Sequence, residues 1–345
     1  MGAQNTNEQM KLTTLDAQLQ SSIFNNVAIA TGLPPVSIEK DWWVTQVLKA
    51  LYSLPYSHHT SFKGGTSLSK CWGLIERFSE DIDLGLDREF LGFEGELSKT
   101  QISDKLRRAA CSFVRETMQH DLRQALIGLG LSADIFEVKV DITPITTTDP
   151  EVIRVAYHSV YPELNDPYLP PVVKIEVSGR SMSEPVADRS IRSLVDEYVP
   201  QSAVAEEFFC VRAVLPERTF LEKTFLLHEE FSKPQVRVER MSRHVYDLAM
   251  MMDKGIQDKA LSDECLYRQV LEHRRKFIGL KGFDYDMLYP KHLCIVPDGE
   301  IRDLWRTDYT AMQEHMIWGA SPSYDDLMAR MEELNAQIRS LNITK

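Results

Sequence analysis

The chain holds little that would suit it to an oxidising compartment. Its five cysteines, Cys71, Cys111, Cys210, Cys265 and Cys294, are scattered, odd in number and without a Cys-x-x-Cys pair. That pattern argues against a disulfide framework or a zinc site, and reduced thiols in a cytoplasm are expected. No apolar run approaches the ~18–20 residues that a bilayer span needs, and the first residues carry no signal-peptide pattern, so no membrane partner is expected. Low-complexity tracts are lacking. A basic excess is lacking too: 39 Lys and Arg stand against 51 Asp and Glu, a formal charge of −12. This argues against a surface coated for non-specific nucleic-acid binding but leaves room for a local basic cleft. Lysines and arginines are concentrated between Lys174 and Arg243, where any RNA footprint would lie.

What is present is one organising stretch, Phe62-Lys63-Gly64-Gly65-Thr66-Ser67-Leu68-Ser69-Lys70, followed by Arg77-Phe78-Ser79-Glu80-Asp81-Ile82-Asp83-Leu84. Two glycines permit a sharp turn and a close approach to the backbone. The following segment, Thr66 to Glu76, has no proline and reads as a helix, whose first N–H groups, with Thr66 and Ser67, can receive an anion. Asp81 to Leu86 alternates polar and apolar residues like a half-buried strand, so Asp81 and Asp83 share one face while Ile82 and Leu84 share the other. Paired carboxylates of this kind suit Mg²⁺, which is commonly held by one or two carboxylates plus substrate phosphates. A phosphate cradle beside such a site is equipment for phosphoryl or nucleotidyl transfer.

The joined string resembles the signature of the DNA polymerase β-type nucleotidyltransferase superfamily, and within it the AbiEii/AbiGii-type toxin nucleotidyltransferases of bacterial toxin–antitoxin and phage-defence systems. The resemblance covers most of the chain, strongly at 62–84 and less so at 172–247. It implies an α/β (α+β) fold: a polymerase β-like core with a mixed sheet over about 52–215, a helical N-terminal segment (1–51) and a helical C-terminal lobe (216–345). It also implies transfer of a nucleotide from a nucleoside triphosphate with two Mg²⁺ ions. Asp81 and Asp83 would hold metal with Glu176 as third carboxylate, Gly64, Gly65, Thr66 and Ser67 would cradle the triphosphate, and Lys223 would pair with it. Asp247 would be a general base or an orienter of Lys223. The acceptor implied first is RNA, at the 3′ end of tRNA, ahead of a protein hydroxyl and then a small molecule. A cognate antitoxin is a candidate partner. A non-catalytic nucleotide- or partner-binding protein on the same scaffold is disfavoured by the intact Gly-Gly and Asp-x-Asp.

The remaining pattern is coarser. Residues 1 to about 12 are polar and read as disordered. Leu15–Thr31 and a helix capped by Ser37 and running to Leu51 precede the motif, with Lys40 and Asp41 read as solvated. Ile102–Leu129 reads as mostly helical. Phe136–Ile142, Val152–Val160, Val172–Val177 and Phe208–Leu215 read as strands, and Ser178–Ser202 as a connection with a short helix. From Arg218 onward the period is helical, and Arg243 with Asp247 reads on its own as a surface i,i+4 pair.

Overall fold

The computed structural model describes residues 11–141, 149–164, 169–318 and 320–345. Most of the expected N-terminal disorder (1 to about 12) and the end of one strand at Ile142 lie outside the described residues, but Leu12 is a correction, being buried in the core. Two helices come first, α1 (Ala17–Thr31) and α2 (Pro35–Ser53). Strand β1 (Thr60–Lys63) runs directly into α3 (Gly64–Lys70), and β2 (Ile82–Leu86) follows. A helical run over 101–128, whose regular parts are α4 (Arg107–Phe113) and α5 (Gln119–Gly128), leads to β3 (Phe136–Val140), β4 (Glu151–Tyr157) and β5 (Val172–Ser178). Then come β6 (Val186–Ile191), α6 (Leu194–Tyr198) and β7 (Phe209–Val214). The rest is helical: α7 (Pro216–Phe231), α8 (Ser242–Asp253), α9 (Ile256–Ser262), α10 (Glu264–His273), α11 (Gly299–His315) and α12 (Tyr324–Ser340).

The seven strands form one mixed sheet in the order β3-β4-β5-β2-β1-β7-β6, which makes the Asp-x-Asp strand β2 its centre. β2 pairs antiparallel with β1 and parallel with β5, while β1 pairs parallel with β7. Alternation does the sorting. Ile82, Leu84, Val173, Ile175 and Val177 are fully buried and share one core with Trp43, Val47 and Leu48 of α2. The intervening residues of β2 and β5 therefore face the other way, and register sets Asp83 opposite Glu176. A second core belongs to the C-terminal helices, and Leu68, Leu74 and Ile75 of the motif region are part of it. Next to them the backbone of Phe78 donates to Met316 O (2.6 Å), and Arg77 pairs with Ile317 as an isolated antiparallel bridge.

Several expectations need correction. The helix after the glycines stops at Lys70 rather than Glu76, and Gly73 follows at φ +59°. The second helix begins at Pro35, whose fixed φ suits a first turn, so Ser37 is a buried helical residue and not the cap. Lys40 and Asp41 are not solvated. Lys40 pairs with Glu80 and donates to Pro170 O (2.8 Å); Asp41 takes Lys70 (2.6 Å) and the Leu194 N–H (2.8 Å). The supposed connection after Ser178 contains β6, an edge strand with exposed Asp188, Arg189 and Ser190.

Candidate active site

The ends of β1, β2, β5 and β7 that meet at one side of the sheet open onto a cavity of about 470 Å³. Its floor is Lys63, Gly64, Gly65, Asp81, Asp83, Lys174 and Glu176. Because β7 ends beside β1, α7 starts there and lays Thr219, Glu222, Lys223 and Leu226 along the cavity, spaced as one helical face. Glu239, Arg240, Arg243 and His244 close it from the segment entering α8. Gly64 lies at φ +77°, and a Cβ there would fall 1.9 Å from Asp83 Oδ2; at Gly65 it would fall 2.6 Å from Arg77 Nη2 and 2.7 Å from Ser79 Oγ. The glycines thus let side chains of the downstream motif sit against the backbone of the turn.

Two kinds of charge face one another across this space. Among the described residues, neither Asp81 nor Asp83 has a side-chain hydrogen bond or ion pair. Burial raises the Asp83 pKa, Lys63 pulls against it, and Glu176 and Asp81 add to the rise. Carboxylates left this close without a cation fit a divalent ion. The donor set is all oxygen, as Mg²⁺ prefers, although Glu176 is also paired with Lys174. No group of three or more His, Cys, Asp or Glu among the described residues forms a ready cage. An ion taking part of its shell from substrate phosphates does not need one.

On the opposite wall Asp247, wholly buried in α8, accepts from Arg77 Nε at Oδ1 (2.7 Å) and from Arg77 Nη2 at Oδ2 (2.8 Å). Lys223 Nζ lies 2.9 Å from the same Oδ2 and 3.4 Å from His244 Nδ1. Burial alone would raise the Asp247 pKa, but the two cations hold it well below the usual carboxylate range. Burial pulls Lys223 down, with Asp247 opposing and Arg77 adding. Burial, Lys223 and Arg243 keep His244 well below its ordinary value, so it is neutral near pH 7. The surface pair expected between Arg243 and Asp247 is not formed, because α8 turns Asp247 inward. Held by two cations, the carboxylate is kept ionised and fixed against Lys223.

The AbiEii family model, the nucleotidyl transferase toxin of type IV toxin–antitoxin systems, matches residues 46–330. The chain belongs to the AbiEii family. It is therefore a nucleotidyltransferase of a toxin–antitoxin family, with a nucleoside triphosphate substrate, a divalent metal and an antitoxin partner as the family's general equipment. Among solved structures it is similar to MenT4, a nucleotidyltransferase toxin from Mycobacterium tuberculosis H37Rv, at 16% identity and a TM-score of 0.44, over 94% of this chain and 100% of that one. No curated protein matches it. No helix among the described residues is long and apolar enough to cross a membrane.

Within this AbiEii chain the structure brings Gly64, Gly65, Asp81, Asp83, Glu176 and Lys223 to one cavity, with Asp247 directly behind Lys223. Thr66 and Ser67 are a correction. Both are buried and neither lines the cavity; the Thr66 hydroxyl donates to Asp81 O, accepts from the Ser79 hydroxyl and so braces the backbone at the start of β2. Sequence reasoning missed Arg77. It quoted the residue inside the motif without a role, because its partner lies 170 positions away. Glu80, beside the Asp pair, was missed as well. Its buried carboxylate takes Lys40 from α2 and Arg240 at 3.4 Å.

Proposed function

We propose that this cavity transfers a nucleoside monophosphate from a nucleoside triphosphate to a hydroxyl of RNA, at the 3′ end of a tRNA-sized molecule. The acceptor hydroxyl releases its proton to water, its oxygen bonds to the α-phosphorus, the bond from that phosphorus to the bridging oxygen breaks, and pyrophosphate leaves with its electron pair. Asp81, Asp83 and Glu176 would hold Mg²⁺, which when bound neutralises charge developing on the phosphoryl oxygens and orients the acceptor. Gly64 and Gly65 admit the triphosphate against the turn, and Lys223 meets its phosphates as a point charge. Asp247 fixes Lys223, and Thr66 holds the Asp81 backbone. The observation carrying the reading is the opposition, across one 470 Å³ space, of Asp81 and Asp83, which have no side-chain partner among the described residues, and a cationic wall on and just before α8 with Lys223 of α7. RNA as acceptor rests on the family resemblance and on Arg240 and Arg243 at the cavity, in a chain whose net charge is otherwise −12.

The test supplies total RNA and total protein together with Mg²⁺, with α-labelled nucleoside triphosphates in one reaction and γ-labelled in another. Label in RNA from the α-phosphate alone, weakening with salt and absent in Asp81→Asn, is expected. α-Label in protein would move the acceptor to a protein hydroxyl. γ-Label in either would make the enzyme a kinase and end the nucleotidyl-transfer reading.

A further inference from the structure

The group beneath Lys223 has an odd charge count. Asp247 supplies one negative charge and two cations draw on it, with Oδ2 shared between Arg77 Nη2 (2.8 Å) and Lys223 Nζ (2.9 Å). His244, 3.4 Å from Lys223, is neutral and offsets nothing. Arg243, the nearest further cation, has no ion pair among the described residues. The cluster therefore keeps one positive charge uncompensated. Exposure decides where that charge can act. Arg77 and Lys223 both border the cavity, but the Arg77 side chain is only 3% exposed against 10% for Lys223, and Asp247 is 0% exposed. Arg77 is also fully engaged: Nε and Nη2 go to Asp247 and Nη1 donates to Phe78 O (3.3 Å).

We propose that Arg77 is a positioning residue for the triphosphate. By claiming the Asp247 carboxylate with both ends of its fork, it leaves Lys223 with unspent positive charge for phosphate. The alternative without Arg77 is plain electrostatics. A lone Lys223–Asp247 pair would be neutral, and a neutral buried pair has little attraction for a polyanion. The bidentate fork matters because it holds the carboxylate in one orientation, so Lys223 meets only one of its oxygens. Arg77 does this from the loop before β2 while Lys223 and Asp247 come from α7 and α8, so presentation of the lysine also depends on the two cores being docked. The inference rests on the proposed function only in placing the phosphates beside Lys223.

Inorganic tripolyphosphate with Mg²⁺ is the probe, since it carries phosphate and neither base nor acceptor. Its dissociation constant is measured on native protein and variants whose folding is checked by circular dichroism. Arg77→Gln should bind about tenfold or more weakly, while Arg77→Lys, which keeps the charge count, should stay within about threefold of native. Asp247→Asn should bind as tightly as native or tighter, since it frees Lys223, even though turnover falls. The double variant Arg77→Gln/Asp247→Asn should recover most of what Arg77→Gln loses. Native-like binding by Arg77→Gln, equal loss in Arg77→Lys, or weaker binding by Asp247→Asn would each overturn the proposal. A double variant no better than Arg77→Gln would make Arg77 a direct phosphate ligand instead, and overturn it too. Should the native protein not bind tripolyphosphate at all, the phosphate site itself, and with it the proposed function, would be withdrawn.

Discussion

A Cβ on Gly64 would lie 1.9 Å from Asp83 Oδ2, and the residue's φ of +77° already penalises any side chain. Gly64→Ala should therefore cost more than about 1 kcal/mol in denaturant unfolding and displace the Asp83 carboxylate. At Gly65 the φ is unremarkable and the Cβ meets the ends of Arg77 and Ser79, which can swing aside. Gly65→Ala should lose nucleotide affinity as Arg77 leaves Asp247, and lose stability through that broken buried pair rather than through backbone strain. Native stability and native nucleotide affinity in Gly65→Ala would contradict this account. Asp83 gives a pH signature. Its pKa is raised, so the stability it contributes is complete below the usual carboxylate range and is lost as pH rises through the raised value. Asp83→Asn, which never ionises, should melt a few degrees above native protein in EDTA near pH 7, with the gap closing toward pH ~4. A gap that does not change with pH would remove the charge-repulsion account.

At the scale of elements, α2 buries three consecutive charged residues, Glu39, Lys40 and Asp41. Each is answered: Glu39 by the Ser159 hydroxyl (2.6 Å) and the Val160 N–H (2.8 Å), Lys40 by Glu80, and Asp41 by Lys70. Removing one member of a buried pair strands the other, so Lys40→Met should cost about 3–5 kcal/mol, with Glu80→Gln in the same chain restoring part of it. An additive double variant would show that the two side chains do not communicate. The sequence could not announce this burial. A helix enclosed on all sides shows no polar face, and charged residues read as solvated until their partners on distant segments are known. Strands β2 and β5 were legible because one face is core and alternation records it. Strand β6 was not, because Asp188, Arg189 and Ser190 are exposed at an edge and follow no period. For the same reason the carboxylates, glycines and Lys223 were found from local pattern, while Arg77 and Glu80, defined by partners far along the chain, were passed over.

Over the whole molecule the two cores are not independent. Leu68, Leu74 and Ile75 belong to the C-terminal core although they sit between β1 and β2, and Arg77 reaches Asp247 a short way beyond them. Calorimetry of the metal-free protein should accordingly give one cooperative transition. Two resolved transitions would show that the cores melt separately. Mg²⁺ with a nucleoside triphosphate should move that transition upward by mass action, and Lys223→Met should shrink the shift more than Glu176→Gln does. The reverse order would place the main nucleotide contact on the carboxylate side.

The backbone bond from Phe78 to Met316 also has a consequence for biosynthesis. Translation delivers the glycine turn, Arg77 and the Asp pair early, and domains tend to fold in order of emergence. The strand partner of residues 77–78, however, lies at 316–317. Asp247 and the segment that clamps its guanidinium partner therefore reach the motif only after residues 316–317 have been made. A ribosome-bound intermediate would carry the Asp81–Asp83 segment without its completed cationic wall, so the cavity would stay unassembled until those residues emerge.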